Sequence, residues 1–331
     1  MEQPISRRSM LLRVFCFIAI LGVLLSGLSY FLTPKTIVRD NFWSEKNARG
    51  FLAEPDQSLD IIGLGHSSLY AGFSPLELWN AYGYTSYAAS QPHQSVQQSY
   101  ELLKEAFAHQ TPKLVILETD MFIDGIWDLK EADTLVDHTL QNLFPVLKYH
   151  NQWKSLDWSQ LAQPPEYDRY SHDKGYRPSS RVGRFRQKPI KNKKTTPIPL
   201  ITTLYLNKIL SLCEQNQAQV LLVQMPINSW TEADHQAVAD IASARDIPFI
   251  DFKQDSDLIK VDWHKDFRDS GRHLNDRGAK KATLYLGEFI KEHYALTDHR
   301  MDKRFSQWDQ DYQVFLKEKK AGKAEAFSAS A

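Results

Sequence analysis

Leu59-Asp60-Ile61-Ile62-Gly63-Leu64-Gly65-His66-Ser67-Ser68 is the most telling segment of the chain. Its apolar run is short and continuous rather than alternating, and it ends in a Gly-x-Ser turn. That reads as a strand buried on both faces. Runs of the same kind recur at Lys113 to Glu118, Gln219 to Met225 and Pro248 to Phe252, and Thr85 to Ala89 reads as a further strand. Between and after them, apolar residues fall at helical spacing from Pro75, over Ser95 to His109, Leu200 to Gln215, Thr231 to Arg245 and Asp276 to His293. Strands alternating with helices predict an α/β fold: three layers, α/β/α, around a mostly parallel sheet. In such folds ligands bind beyond the carboxyl ends of the strands. Chemistry is therefore expected just after residues 64, 89, 118, 225 and 252.

Outward from the sheet, the N-terminus carries the strongest physical signal. Val14 to Leu32 is an uncharged apolar run, preceded by Arg7, Arg8 and Arg13 and closed by Pro34. A bilayer core needs about 20 such residues in helix. The expectation is an uncleaved single-pass anchor over residues 1–34, in the cell membrane. The basic flank places the N-terminus in the cytoplasm and the rest outside. A cleaved signal peptide is the rival reading; its apolar core is usually shorter, and Leu25 to Leu28 fits a small-x-small cleavage site poorly.

Lys plus Arg and Asp plus Glu both number 40, so no net charge draws the chain toward nucleic acid. The two cysteines exclude a disulfide framework and a Cys-built zinc site. Cys16 lies in the apolar run and Cys213 in an outer helix. Residues 35–57 read as a linker and 58–297 as the outer domain, with 125–200 as an insertion over one sheet edge or a mobile lid. From Arg177 to Lys194 there are eight Lys or Arg and no acid, suiting a solvated loop, an anionic polymer or lipid headgroups. Trp79, Trp127, Trp153 and Trp158 are candidates for core packing or for stacking on sugars. Residues 298–331 read as a charged C-terminal helix, marked by Phe305, Trp308, Tyr312 and Phe315, and a tail.

Two blocks can carry chemistry. Ser67 follows the first outer strand at a strand-to-helix turn, where it is either a nucleophile facing first-turn N–H groups or a helix cap. The block from Asp262 to Gly278 follows the last strand and holds two His and four of the Asp residues. A serine nucleophile needs a base, and the base needs an orienting carboxylate. His273 and Asp269 can supply both from one loop, with Asp262 and His264 as the fallback pair. A polar loop capped by Asn275 or Asp276 is the plain alternative. No metal and no cofactor is expected, because the candidate ligands share one loop.

On these residues the chain resembles the SGNH (GDSL-like) hydrolases. The matching stretches are Gly65-His66-Ser67-Ser68-Leu69-Tyr70 with Pro75, Pro112 to Leu117, and His273-Leu274-Asn275 with Gly278 to Lys281. The resemblance extends over about residues 58–292. It is similar in particular to the membrane-anchored branch that serves cell-surface polymer acylation, which includes D-alanyl lipoteichoic acid transfer proteins. It implies a flavodoxin-like sheet, Ser67 as nucleophile, His273 as base and Asp269 as orienting acid. Three departures stand out. Asp269 and His273 are four apart where the family has Asp-x-x-His, with Arg272 added. The family's oxyanion Gly and Asn are replaced by Ala89-Ser90-Gln91 and Glu118-Thr119-Asp120. His66 stands where many members have Asp or Ser. Ser68, Gln91 and His66 are the remaining substrate or oxyanion candidates.

The resemblance implies a serine esterase or O-acyltransferase acting on a cell-surface glycan or glycopolymer, with an integral-membrane acyltransferase as a possible partner. The alternatives are a non-catalytic SGNH-like domain that binds polymer or docks such an acyltransferase, and a lipase acting on membrane lipids.

Overall fold

The computed structural model describes residues 7–33, 43–123, 140, 143–149, 170–186 and 196–322. The chain resolves into two compact units, Met1–Val38 with Ile126–Asp168, and Arg39–Gly125 with Arg169–Ala331. In the first, helix α1 (Arg7–Leu32) is long and apolar enough to cross a membrane. Its large apolar side chains, such as Phe15, Phe17 and Val23, are exposed along its length. A short helix outside it donates the N–H of Val146 to Ser29 Oγ at 3.1 Å.

The second unit is the α/β domain. Its strands are β1 (Ile61–Gly65), β2 (Ser86–Ser90), β3 (Leu114–Glu118), β4 (Gln219–Gln224) and β5 (Phe249–Asp251). They form one parallel sheet in the order β2-β1-β3-β4-β5. All residues of β1 and β3 are buried, as their unbroken apolar runs require for central strands covered on both faces. From β1 the chain passes to one side, through helices α3 (Ser67–Gly72) and α4 (Pro75–Tyr82), to β2. From β2 it returns over β1 through helix Val96–His109 to β3, and continues away. The crevice between β1 and β3 is thus the topological switch point, where parallel α/β sheets bind ligands.

Local signals set the helix ends. Pro75 opens α4 and Gly83, at φ 74°, closes it. Ser95 with Gln98 and Thr231 with Asp234 form capping boxes on the helices that cover one face. Asn275 accepts the N–H groups of Arg277 and Gly278 at the start of the last sheet-covering helix, Asp276–His293, which packs on α3 and α4.

One sequence expectation changes here, and two readings that were open narrow. The segment read as a linker carries helix α2 (Trp43–Arg49) and a 3-10 turn at Gly50–Ala53. Ala48 and Phe51 are fully buried against the sheet, and Asn47 donates to the carbonyls of Ser90 and Gly175. Apolar residues spaced through a polar stretch are what docks it. Trp79 is 1% exposed, held between Trp308 and Phe305 with its indole N–H on Asp309, so it has no face for a sugar. Residues 170–186 of the insertion are packed rather than lid-like. Lys174, fully buried, meets Glu54 and Asp311, each at 2.8 Å, under the rings of Tyr170 and Trp308. Trp127, Trp153, Trp158, the basic residues 188–194 and the tail from 323 lie outside the described residues.

The expected C-terminal helix spans Ser306–Ala321 and buries Trp308 and Phe315.

Candidate active site

Ser67 opens α3 directly after β1. Its Oγ lies 2.8 Å from Nε2 of His273, and Nδ1 of His273 lies 2.5 Å from Oδ2 of Asp269. The carboxylate fixes the neutral tautomer: Nδ1–H donates to Asp269, which leaves Nε2 free to accept the Ser67 proton. Serine, histidine and aspartate are therefore in hydrogen-bonded series from two loops at one sheet edge. The fallback pair is not part of it. Asp262 accepts the N–H of His264 within its own turn, and the exposed His264 ring packs on Phe185.

The spacing of four between Asp269 and His273 follows from a tight loop. A bridge between Phe267 and Leu274, and the N–H of Arg268 on the carbonyl of His273, close residues 268–273. Inside it, Asp269 Oδ1 accepts the N–H groups of Gly271, Arg272 and His273 at 3.1, 2.8 and 3.1 Å. Gly271 sits at φ 96°, a left-handed conformation, and a Cβ there would fall 3.1 Å from the Phe185 ring and 3.2 Å from Asn228. That turn lets Arg272 be accommodated while Asp269 and His273 still meet.

The basic stretch holds this loop from outside. Gly183 donates to the carbonyl of Phe267, and a Cβ there would fall 2.4 Å from the Asp269 Cα. Ser179 and Tyr176 both donate to Asp276, and Asn275 donates to the carbonyl of Arg181.

The electrostatics suit a base. Burial pushes the His273 pKa down, the Asp269 hydrogen bond opposes it, and the charge of Arg268 adds to the lowering. The ring is neutral at pH 7 and can take a proton. Burial alone would raise the Asp269 pKa, but the His273 hydrogen bond and charge, with the N–H groups of Arg272 and His273, bring it down to about 2.

The other candidates sort by exposure. Ser67 N–H stands at the first helical position, where no helix carbonyl can pair with it. Ser68 is 3% exposed with its hydroxyl beside the Glu118 carboxyl, so its backbone N–H is what it offers. Gln91 is half-buried, one residue beyond Ser90, the register partner of Gly65, and thus stands at the same edge. His66 is buried, with Nδ1 3.7 Å from Asp120 and its ring edge-on to His93.

Sequence reasoning missed Glu118 and Asp120 as members of the site. A carboxylate closing the otherwise apolar run Leu114–Leu117 is the signal that could have found them. Among the described residues, His172, Asp173 and Glu318 could together approach a metal ion, but they are held by the C-terminal helix and not by the Ser67 loops.

No family model matches the chain, and no curated protein matches it. Solved structures similar to it include a provisionally assigned acylhydrolase from Bacteroides fragilis, at 14% identity and TM-score 0.37, covering 76% of this chain and 95% of that one. Another is a provisionally assigned lipolytic protein of the G-D-S-L family from Desulfitobacterium hafniense, at 10% identity and TM-score 0.37, covering 69% of this chain and 97% of that one. At these values the architecture of this chain rests on its own strand order and register, and its site on its own side-chain geometry.

Proposed function

We propose that the chain is a membrane-anchored serine acyl-transfer enzyme of SGNH type, an esterase or O-acyltransferase that works outside the membrane on a cell-surface glycan or glycopolymer. The observation that carries this reading is the series Ser67 Oγ, His273 Nε2, His273 Nδ1, Asp269 Oδ2, with contacts of 2.8 and 2.5 Å. Ser67 Oγ attacks the acyl carbonyl as its proton passes to His273. The carbonyl oxygen takes the charge and is met by the N–H of Ser67, with the Ser68 N–H and the Gln91 amide as further donors. The ester C–O bond breaks, His273 returns the proton to the leaving alcohol, and the acyl group stays on Ser67. Water or a sugar hydroxyl then gives its proton to His273 and takes the acyl group, restoring the serine. Asp269 holds the ring and stabilises the imidazolium.

Hydrolysis and transfer share this acyl-enzyme and differ only in the acceptor. An anchor such as α1, which would keep the enzyme beside a membrane-bound acyl donor, favours transfer, with an integral-membrane acyltransferase as partner. The test is mass spectrometry of the full-length chain after exposure to an acyl donor ester. The expected result is an acyl adduct on the peptide containing Ser67, absent from His273→Ala. An adduct-free, inactive protein would instead support the non-catalytic partner reading.

A further inference from the structure

The end of β3 connects the two loops that the reading above makes catalytic. Glu118 is fully buried directly beneath the Ser67 turn. One of its oxygens accepts the N–H of His66 at 3.2 Å, and a Cβ on Gly65 would fall 2.4 Å from the Glu118 Cβ. The glycine of Gly-x-Ser is there because this side chain fills the space. The other oxygen accepts the N–H of Asp120 at 3.1 Å. The Asp120 carboxylate then stands 3.3 Å from the guanidinium of Arg272 and 3.7 Å from the His66 ring. His66 precedes Ser67 in the chain, and Arg272 precedes His273. Both halves of the serine–histidine pair are therefore tied, one residue away, to the same acidic turn.

We propose that Glu118 and Asp120 are positioning residues, an acidic bridge that sets the spacing between Ser67 and His273 by holding His66 on one side and Arg272 on the other. The proposal rests on the reading of Ser67 as nucleophile and His273 as base. It also accounts for the added Arg272: the longer loop carries a cation that reaches the β3 end. Two buried carboxylates side by side do not both ionise readily. Burial, and then the charge of Asp120, raise Glu118 to about 8, against the N–H groups of His66 and Asp120 and the Ser68 hydroxyl. Near neutral pH Glu118 is thus largely protonated beside the Asp120 carboxyl, which faces Arg272 and His66, with His93 beyond His66. Above pH 8 Glu118 ionises next to that carboxyl, and the bridge loosens.

The test uses the full-length chain in detergent micelles, with turnover of a short-chain aryl acetate followed from pH 5 to 10 and thermal melts recorded for every variant. Misplacing a reacting group by an ångström costs on the order of 100-fold. Asp120→Asn and Glu118→Ala are expected to lower kcat by roughly 10- to 100-fold while KM stays within about twofold, because neither acts on substrate. Glu118→Gln keeps one of the two acceptors, so it should retain more activity than Glu118→Ala and should lose the alkaline fall near pH 8. Folded variants with wild-type kcat, or with only KM raised, overturn the proposal. Where a buried variant does not fold, Arg272→Gln, half-exposed, reads the same tie: a kcat loss supports it and an unchanged kcat overturns it. If Ser67→Ala still turns over the ester, the catalytic reading is what fails. The bridge is then judged from the His273 ring resonances, which move in Asp120→Asn if the bridge holds the loop and stay in place if it does not.

Discussion

At the scale of single residues, Ser67, His273 and Asp269 act as one unit in the proposed reaction. Ser67→Ala and His273→Ala should each abolish ester turnover beyond the background of an unassisted site. Asp269→Asn should cost about 10³- to 10⁴-fold in kcat, because the amide can no longer hold the productive tautomer. The acid limb of kcat/KM reports the base. His273 is active when neutral and its pKa is lowered, so activity should rise with pH through a value below 6.5 and stay level until the fall near pH 8 that Glu118 sets. A limb centred above 7 would contradict the burial of the ring. Glu118 contributes to stability with the opposite sense. Its folded pKa is raised from 4.5 to about 8, so the folded chain binds more protons than the unfolded one between those values. Stability from this group is complete below pH 4.5 and falls as the pH rises to about 8, so denaturant melts of wild type and Glu118→Gln should lie closest below pH 4.5 and separate as the pH rises, with wild type losing stability. Ser67, His273 and Asp269 were legible because a serine directly after the first strand and a His–Asp pair in the block before the last sheet-covering helix fall at one predicted sheet edge. Glu118 and Asp120 were only half legible: a carboxylate closes an apolar run, but nothing in their neighbourhood in the chain shows that they face the Gly65 turn and Arg272.

At the scale of elements, strands and sheet-covering helices were readable to within a residue or two. Continuous apolar runs, capping boxes and the Pro75 and Gly83 boundaries are local signals. The long-range packing of polar segments was not readable. Residues 177–186 look like a solvated basic loop, yet Gly183 lies flat against Asp269. Gly183→Ala should therefore push the Asp269 backbone, reduce kcat by about 10-fold or more and lower the melting temperature as well. A variant with full activity would show that the segment does not hold the loop. In the same way Gly271→Ala, which must adopt φ near 96° against Phe185, should cost both stability and turnover.

At the scale of the whole molecule, the α/β unit is tied together by a buried ion group. Lys174 joins Glu54, ahead of the first strand, to Asp311 on the last helix, with Tyr170 also on Asp311. Removing the cation leaves two buried carboxyls facing each other. Lys174→Ala is expected to destabilise the domain by about 3–5 kcal/mol in urea titration, whereas Lys174→Met should cost less. A Lys174→Ala change within 1 kcal/mol of wild type, on the order of a surface substitution, would contradict this. None of it was visible in the sequence, where the three residues lie far apart. The apolar helix α1 was visible from composition alone. On the proposed anchor, the full chain should stay with membranes in alkaline carbonate, and a chain lacking residues 1–38 should not.

The central claim is that Ser67 is an activated nucleophile, and a serine-reactive fluorophosphonate probe tests it most directly. The full-length chain in micelles should label at Ser67, faster as the pH rises through the His273 titration, and labelling should vanish in Ser67→Ala and His273→Ala. A folded wild-type chain that stays unlabelled, alone and in membranes containing its neighbours, would contradict the account.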